Sequence, residues 1–209
     1  MTAKIISGRE VAENILTTNL KNKVIELNKK NINPKLIVIL VGDMKASASY
    51  VAQKEKFAVK AGIESDILRF ESTVTEEQIL QEIDKINNDD SIHGVIVQLP
   101  LPDHISVAKV LNSIDPSKDV DGFTPTNVGK LFLGEDTLVS CTPKGIMQML
   151  ASTGTDLNGK NVTVVGRSNI VGKPAAILCL QQNATVTMCH SRTKDLNAKL
   201  SDADVIIVA

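Results

Sequence analysis

The sequence predicts an α/β protein in two parts: an N-terminal α/β domain with parallel strands, then a Rossmann-like domain that is C-terminally incomplete. Three observations carry this expectation. Apolar runs alternate with helical patterns along most of the 209 residues, a rhythm of parallel strands joined by right-handed crossovers. Hydrophobic residues reach 43%, mostly Val, Ile, Leu and Ala, which suits strands covered on both faces. A glycine-bearing turn, "VVGRSNIVGKP" (164–174), lies between a strand pattern and a helix pattern, where dinucleotide-binding turns sit.

Taken in order, "KLIVILVG" (35–42) reads as a buried strand and "SASYVAQKEKFAVKAG" (47–62) as a helix closed by Gly62. "SDILRF" (65–70) is the second strand. The amphipathic helix "TEEQILQEIDKINND" (75–89) follows, with Thr75 as N-cap and Glu76, Glu77 and Gln78 in its first turn. "HGVIVQL" (93–99) is a third strand, stopped by the prolines of "PLPDH", and "ISVAKVLNSI" (105–114) is a short helix ended by Pro116. The rhythm breaks at 115–141, rich in Pro, Gly and Asp, which reads as a functional loop with a short helix. A helix over 142–154 leads to the second unit: strand 161–166, helix 171–182, strand 184–189, helix 193–201 and strand 204–209. The expected domains are therefore 1–140 and 141–209, the second partial, because three strands leave an unpaired edge and an uncovered core face.

Composition excludes several function classes. Formal net charge is −1 with no block of like charge, which argues against a polyanion partner. Aromatic residues are 2% and Trp is absent, so stacking platforms for single-stranded nucleic acid are not expected. Cys141, Cys179 and Cys189 have no CxxC or zinc-ligand spacing, and no metal site is expected. There is no signal-peptide pattern and no run near the roughly 18 apolar residues of a membrane span. A reduced, cytoplasmic protein with no membrane or nucleic-acid partner is the expectation.

The turn departs from G-x-G-x-x-G: Gly166 opens it, Ser168 stands at the second glycine, and Gly172 closes it one residue late. A strand, Gly166 and a helix from near Val171 would aim backbone N–H groups at a phosphate, although such turns also carry glycines for steric reasons alone. At the end of the next strand an NAD-selective turn needs an acid for the ribose 2′-hydroxyl, and this chain has His190, Ser191 and Arg192 instead. With Arg167, two guanidinium groups could pair with a 2′-phosphate, so NADP is favoured; solvated surface arginines are the plain alternative.

Tyr50 and Lys54 in "SYVAQK" are four residues apart on one helix face, near the carboxyl ends of the strands where open α/β sheets bind ligands. An exposed lysine on a charged helix is the plain alternative. The same Tyr/Lys spacing occurs in short-chain dehydrogenases, but there the glycine turn comes first. Gln98 in "VQLPLP" is an amide at a strand's carboxyl end, and "DVDG" (119–122) puts Asp119 and Asp121 in a tight loop that lacks the ligands of a calcium loop. His93 and His104 read as structural.

In order along the chain, "VGDMKASASYVAQK", "GVIVQLPLP", "PSKDVDGF", "CTPKG", "VVGRSNIVGKP" and "TVTMCHSRT" resemble the bifunctional methylenetetrahydrofolate dehydrogenase/methenyltetrahydrofolate cyclohydrolases (FolD type). The resemblance implies NADP-dependent oxidation of 5,10-methylenetetrahydrofolate, then hydration of the methenyl cation to 10-formyltetrahydrofolate, by a cytoplasmic homodimer acting on tetrahydrofolate derivatives. It implies that Lys54 is the main catalytic group, that Tyr50 packs on the folate, and that Gln98 hydrogen-bonds near Lys54. Asp121 would bind the pterin's polar edge, with Leu99 and Pro100 beside the substrate. NADP would lie on Gly166, Arg167, Ser168, Ile170, Val171, Gly172, His190, Ser191 and Arg192. Thr124 and Ser140 depart from the usual His and Pro of relatives, which run roughly a third longer. An inactive dinucleotide-binding fragment, and an oxidoreductase like the amino-acid dehydrogenases, are the competing expectations.

Overall fold

The computed structural model describes residues 3–209, so the first two residues of the expected first domain lie outside it. By its contacts the chain forms two compact units, one of Ala12–Thr124 and one of Pro125–Ala209 joined by the N-terminal residues up to Val11.

Helix α1 (Gly8–Asn14) passes into a π-helical turn, Ile15–Leu20, and then α2 (Lys21–Asn28). The sequence reading assigned no element here. The Lys21 N–H bonds the carbonyl of Leu16, five residues back, and a wider turn of this kind breaks the 3.6-residue spacing by which helices are recognised. Leu16 and Val24 are nonetheless buried.

The first unit is then built from β1 (Lys35–Val41), α3 (Lys45–Ala61), β2 (Glu64–Phe70), α4 (Glu76–Asn87), β3 (Gly94–Val97) and α5 (Val107–Ser113). The three strands are parallel in the order β2-β1-β3, so β1 is central. Because successive side chains alternate between faces, Val38 and Leu40 pack with Val51 of α3 and Ile96. Ile37, Ile39 and Val41 pack on the other face against Ile79, Ile83 and Ile86 of α4 and Val110 of α5. A strand covered on both faces must be apolar at every position, which is why "LIVILV" shows no alternation.

Local signals set the boundaries. Thr75 caps α4 in a capping box, its hydroxyl accepting from the Gln78 N–H at 3.2 Å while the Gln78 side chain accepts from the Thr75 N–H at 3.0 Å. Gly62, in the left-handed region at φ 83°, closes α3. Helix α5 starts later than the periodicity predicts because Ser106 caps it, accepting from the Lys109 N–H at 3.4 Å.

The second unit contains α6 (Pro125–Leu133), α7 (Cys141–Ser152), β4 (Asn161–Val165), α8 (Gly172–Gln181), β5 (Thr185–Cys189), α9 (Leu196–Ser201) and β6 (Val205–Val208). Its strands are parallel in the order β5-β4-β6. Val162 and Val164 pack with Ala176 and Cys179 of α8 and with Ile146, Met147 and Leu150 of α7. Burial pushes the Cys179 thiol pKa up. On the opposite face the Thr163 hydroxyl donates to the Lys199 carbonyl of α9 at 3.0 Å. Strand β6 is an edge, with Val208 78% exposed. Helix α9 starts after the expected 193 because His190 and Thr193 close a turn on each other and Asp195 caps the helix through the Ala198 N–H.

Two predictions follow from these caps. Thr75→Ala should cost the first unit about 1 kcal/mol in denaturant unfolding, with the native spectrum kept. The Glu76 carboxyl is held below its ordinary pKa by the Lys109 ammonium at 2.7 Å, then by the Ser106 N–H. A carboxyl depressed on folding stabilises above its unfolded pKa, and that contribution is lost as pH falls through the folded value. Glu76→Gln should therefore flatten the acid limb of the thermal-melt profile of this unit.

Candidate functional site

In the first unit the chemistry-bearing groups gather at the carboxyl end of the sheet. Gln98 is the residue after β3; its N–H donates to the Ile39 carbonyl of β1 at 2.9 Å. Its side chain is fixed at both ends, Nε2 donating to the Leu99 carbonyl at 2.8 Å and Oε1 accepting from Lys54 Nζ at 3.2 Å. The bond to Leu99 orients the amide, since a carbonyl oxygen can only accept. Lys54 is half-buried, and the bond to Gln98 uses one of its three donors. Tyr50, one turn earlier on α3, is 67% exposed and presents its ring to whatever fills the space. The chain leaves Gln98 through Leu99 and Pro100, whose peptide bond is cis.

Asp121 lies on a separate segment that runs beside β3. The chain before it pairs in parallel with β3, the Val95 N–H donating to the Lys118 carbonyl at 2.8 Å and Val95 bridging to Asp119. The two carboxylates of "DVDG" then separate. Asp119 is 1% exposed, and its oxygens accept from the Phe123 N–H at 3.1 Å and the Thr124 N–H at 2.7 Å. It closes the loop that Gly122, at φ 63°, turns. Asp121 is the half-exposed member of the pair. Upstream, the Ser117 hydroxyl and then its N–H hold the Asp115 carboxyl below its usual pKa. The structural roles of Asp119 and Lys118 escape a sequence reading: a loop Asp/Lys pair reads as solvated, and only the "DVDG" spacing hints at a closed loop. His93 and His104 take structural roles, His93 Nδ1 accepting from the Lys35 N–H and His104 Nε2 bonding the Val74 carbonyl.

In the second unit the turn after β4 is tight. Gly166 has φ 142°, its N–H donates to the Cys189 carbonyl at 2.8 Å, and a Cβ there would strike the Ala209 carbonyl. A Cβ on Gly172 would lie 2.5 Å from the Gly166 carbonyl oxygen, so this is the glycine that lets helix and strand approach. Ser168 does what the missing glycine cannot. Its hydroxyl accepts from the N–H groups of Val171 and Gly172, at 3.2 and 3.1 Å, and its carbonyl accepts from Lys173 at 3.1 Å.

One expectation changes as a result. The first N–H groups of α8 bond to Ser168 rather than pointing outward, and Pro174 has none. An anion here would be held by side chains and by the exposed turn 167–170. Arg167 and Arg192 are exposed, and Lys173 reaches Asn169 Oδ1 at 2.7 Å. Because Val165 pairs with Cys189 across β4 and β5, Arg167 and the 190–192 segment sit at neighbouring strand ends. His190 organises that segment: its Nδ1 accepts from the Arg192 N–H at 3.1 Å and its N–H donates to the Thr193 hydroxyl at 2.8 Å. Two unpaired guanidinium groups among the described residues, a hydroxyl pair and no acid form a donor set that fits a phosphorylated ribose.

The family model for the tetrahydrofolate dehydrogenase/cyclohydrolase catalytic domain matches residues 6–121, and that for the family's NAD(P)-binding domain matches 140–209. The chain is 53% identical over its whole length to the bifunctional protein FolD of Bacillus licheniformis and covers 73% of that protein. Among solved structures it is similar to the bifunctional FolD methylenetetrahydrofolate dehydrogenase/cyclohydrolase of Campylobacter jejuni, with TM-score 0.96, 45% identity, and 99% and 73% of the two chains covered. It also matches the Trypanosoma brucei methylenetetrahydrofolate dehydrogenase-cyclohydrolase complexed with NADP cofactor and inhibitor, with TM-score 0.94, 35% identity, and 100% and 72% covered. With both of its units matched in sequence and in fold, the chain belongs to the tetrahydrofolate dehydrogenase/cyclohydrolase family.

Proposed function

We propose that this chain oxidises 5,10-methylenetetrahydrofolate to 5,10-methenyltetrahydrofolate with NADP⁺ and hydrolyses the product to 10-formyltetrahydrofolate. The observation that carries the reading is the Lys54–Gln98 pair at the carboxyl end of the first sheet, in a chain whose two units match the two domains of the family.

Hydration of a methenyl cation consumes water and releases a proton. Lys54 in its amine form takes that proton from the attacking water, and Gln98 Oε1 keeps Nζ aimed along one direction. Tyr50 offers a ring face for the folate, and Leu99 and Pro100 wall the site. Asp121, with two oxygens, suits the adjacent N–H donors of a pterin edge.

NADP⁺, when bound, supplies the acceptor for the hydride that leaves the one-carbon bridge. Gly166 and Gly172 allow the tight strand-to-helix turn beside which its phosphates would lie, with Ile170 and Val171 alongside. Arg167, Ser168, His190, Ser191 and Arg192 would meet its 2′-phosphate end. We place the protein in the cytoplasm as a homodimer. Among the described residues no helix is long and apolar enough to cross a membrane, and the exposed Phe132 and Leu133 of α6 offer apolar surface to a second copy.

Lys54→Met should lower cyclohydrolase turnover by roughly 10²- to 10⁴-fold, the range of a lost general acid–base, in a protein of unchanged melting temperature. Undiminished hydrolysis of methenyltetrahydrofolate, followed by its absorbance, would remove Lys54 from the mechanism. Arg192→Ala should weaken NADP⁺ by roughly tenfold or more, the size of a lost charged hydrogen bond, while NAD⁺ changes little. Equal losses for the two cofactors would refute a 2′-phosphate site.

A further inference from the structure

Ser140 stands at the N-cap of α7, yet its side chain does not cap that helix. Its carbonyl accepts the first helical bond, from the Lys144 N–H at 3.1 Å, while its hydroxyl makes no capping bond. An N-cap hydroxyl ordinarily accepts from the second or third helical N–H, and here the third helical residue is Pro143, which has none. The hydroxyl donates instead to the Ile170 carbonyl at 2.7 Å, 30 residues further along the chain, in the turn that joins β4 to α8. Ser140 is 3% exposed, so this bond is made away from water, where a polar group without a partner is costly. The two elements it links have separate footings. Helix α7 packs through Ile146 and Leu150 on the core around Val164. The turn is held from inside by Ser168, whose hydroxyl accepts from the Val171 and Gly172 N–H groups. Ser140 fixes the same turn from outside, by a backbone atom of a residue whose own side chain is 41% exposed.

We infer that Ser140 is a positioning residue for the dinucleotide: through Ile170, its hydroxyl holds the turn after β4 in the form that receives the cofactor's phosphates. The inference rests on the reading of that turn as the NADP⁺ site. A turn whose side chains reach solvent must be ordered when a ligand binds, and the cost is subtracted from affinity unless the fold has already met it. The first N–H groups of α8 are occupied by Ser168, so an anion here depends on where the turn itself stands. The bond therefore acts on the part of the cofactor that NADP⁺ and NAD⁺ share, whereas Arg192 is assigned the 2′-phosphate, the part that differs. The backbone at Ser140, φ −47° and ψ 132°, is close to what proline adopts, so the hydroxyl can be removed without bending the chain.

The test measures dissociation constants of the whole chain for NADP⁺, NAD⁺ and adenosine 2′-monophosphate by titration calorimetry. Ser140→Ala should raise those of NADP⁺ and NAD⁺ by the same factor, about fivefold, the size of one net hydrogen bond. Adenosine 2′-monophosphate, which has no pyrophosphate, should change by less than about twofold on the same scale. The KM for NADP⁺ should rise in step, while kcat at saturating cofactor and the KM for methylenetetrahydrofolate keep their wild-type values. Ser140→Pro should show the same loss of affinity with a melting temperature that is not lowered, which separates positioning from a general loss of stability. It also decides the question if Ser140→Ala does not fold. Wild-type affinity for both dinucleotides in either folded variant, or a loss confined to NADP⁺, would overturn the inference. If the unaltered chain binds neither dinucleotide, the reading of the turn is what has failed, and the positioning role falls with it.

Discussion

The candidate chemistry of the first unit hangs on one residue's hydrogen bonds, those of Gln98. Its backbone belongs to the sheet, through Ile39, and its side chain belongs to the site, through Lys54. That double membership is possible only because β1 is central. Ile39 is fully buried with its neighbours on both faces, so the carbonyl that Gln98 bonds cannot move independently of the core. A lysine on a helix surface samples many rotamers, at a cost of up to roughly 2 kcal/mol to fix. An amide anchored at both ends supplies a fixed acceptor that offsets part of that cost.

The two units share a strand order in which the first strand is central and its two successors flank it, yet they prepare their sites by different means. The first uses side-chain bonds: Lys54 to Gln98 across two elements, and Asp119 within the loop it closes. The second uses backbone proximity, with Gly166 and Gly172 so close to other backbone that neither tolerates a Cβ. The difference matches their proposed ligands. A reacting carbon needs a few groups at set positions, whereas a phosphate needs room beside a turn and cationic side chains that can follow it.

Much of this was legible in the sequence. The buried strands, α4 with its Thr75 cap, and the placement of Tyr50, Lys54 and Gln98 at the carboxyl end follow from local patterns: apolar runs, a capping box, a spacing of four on a helix. The helical residues 8–28 were not legible, because the π-helical turn shifts the spacing of Ile15, Leu16 and Leu20. The start of α8 was legible as a turn but not as a hydrogen-bond scheme. In the folded chain Ser168 occupies the N–H groups that a glycine would have left open.

The sequence by itself determined which residue types stand at each strand's carboxyl end, the absence of an acid at 190–192, and the motif order that matches the family. These are properties of local order, which short-range sterics and periodicity write directly into the chain. Tertiary structure alone decided which of two neighbouring carboxylates is buried as a loop closure and which stays half-exposed. It also decided that Lys118, indistinguishable in sequence from a solvated lysine, bonds three carbonyls some thirty residues away in the chain. The physical reason is the same in both cases: a charged group is assigned by the polar atoms that meet it once the chain has folded, and those atoms come from segments remote in sequence.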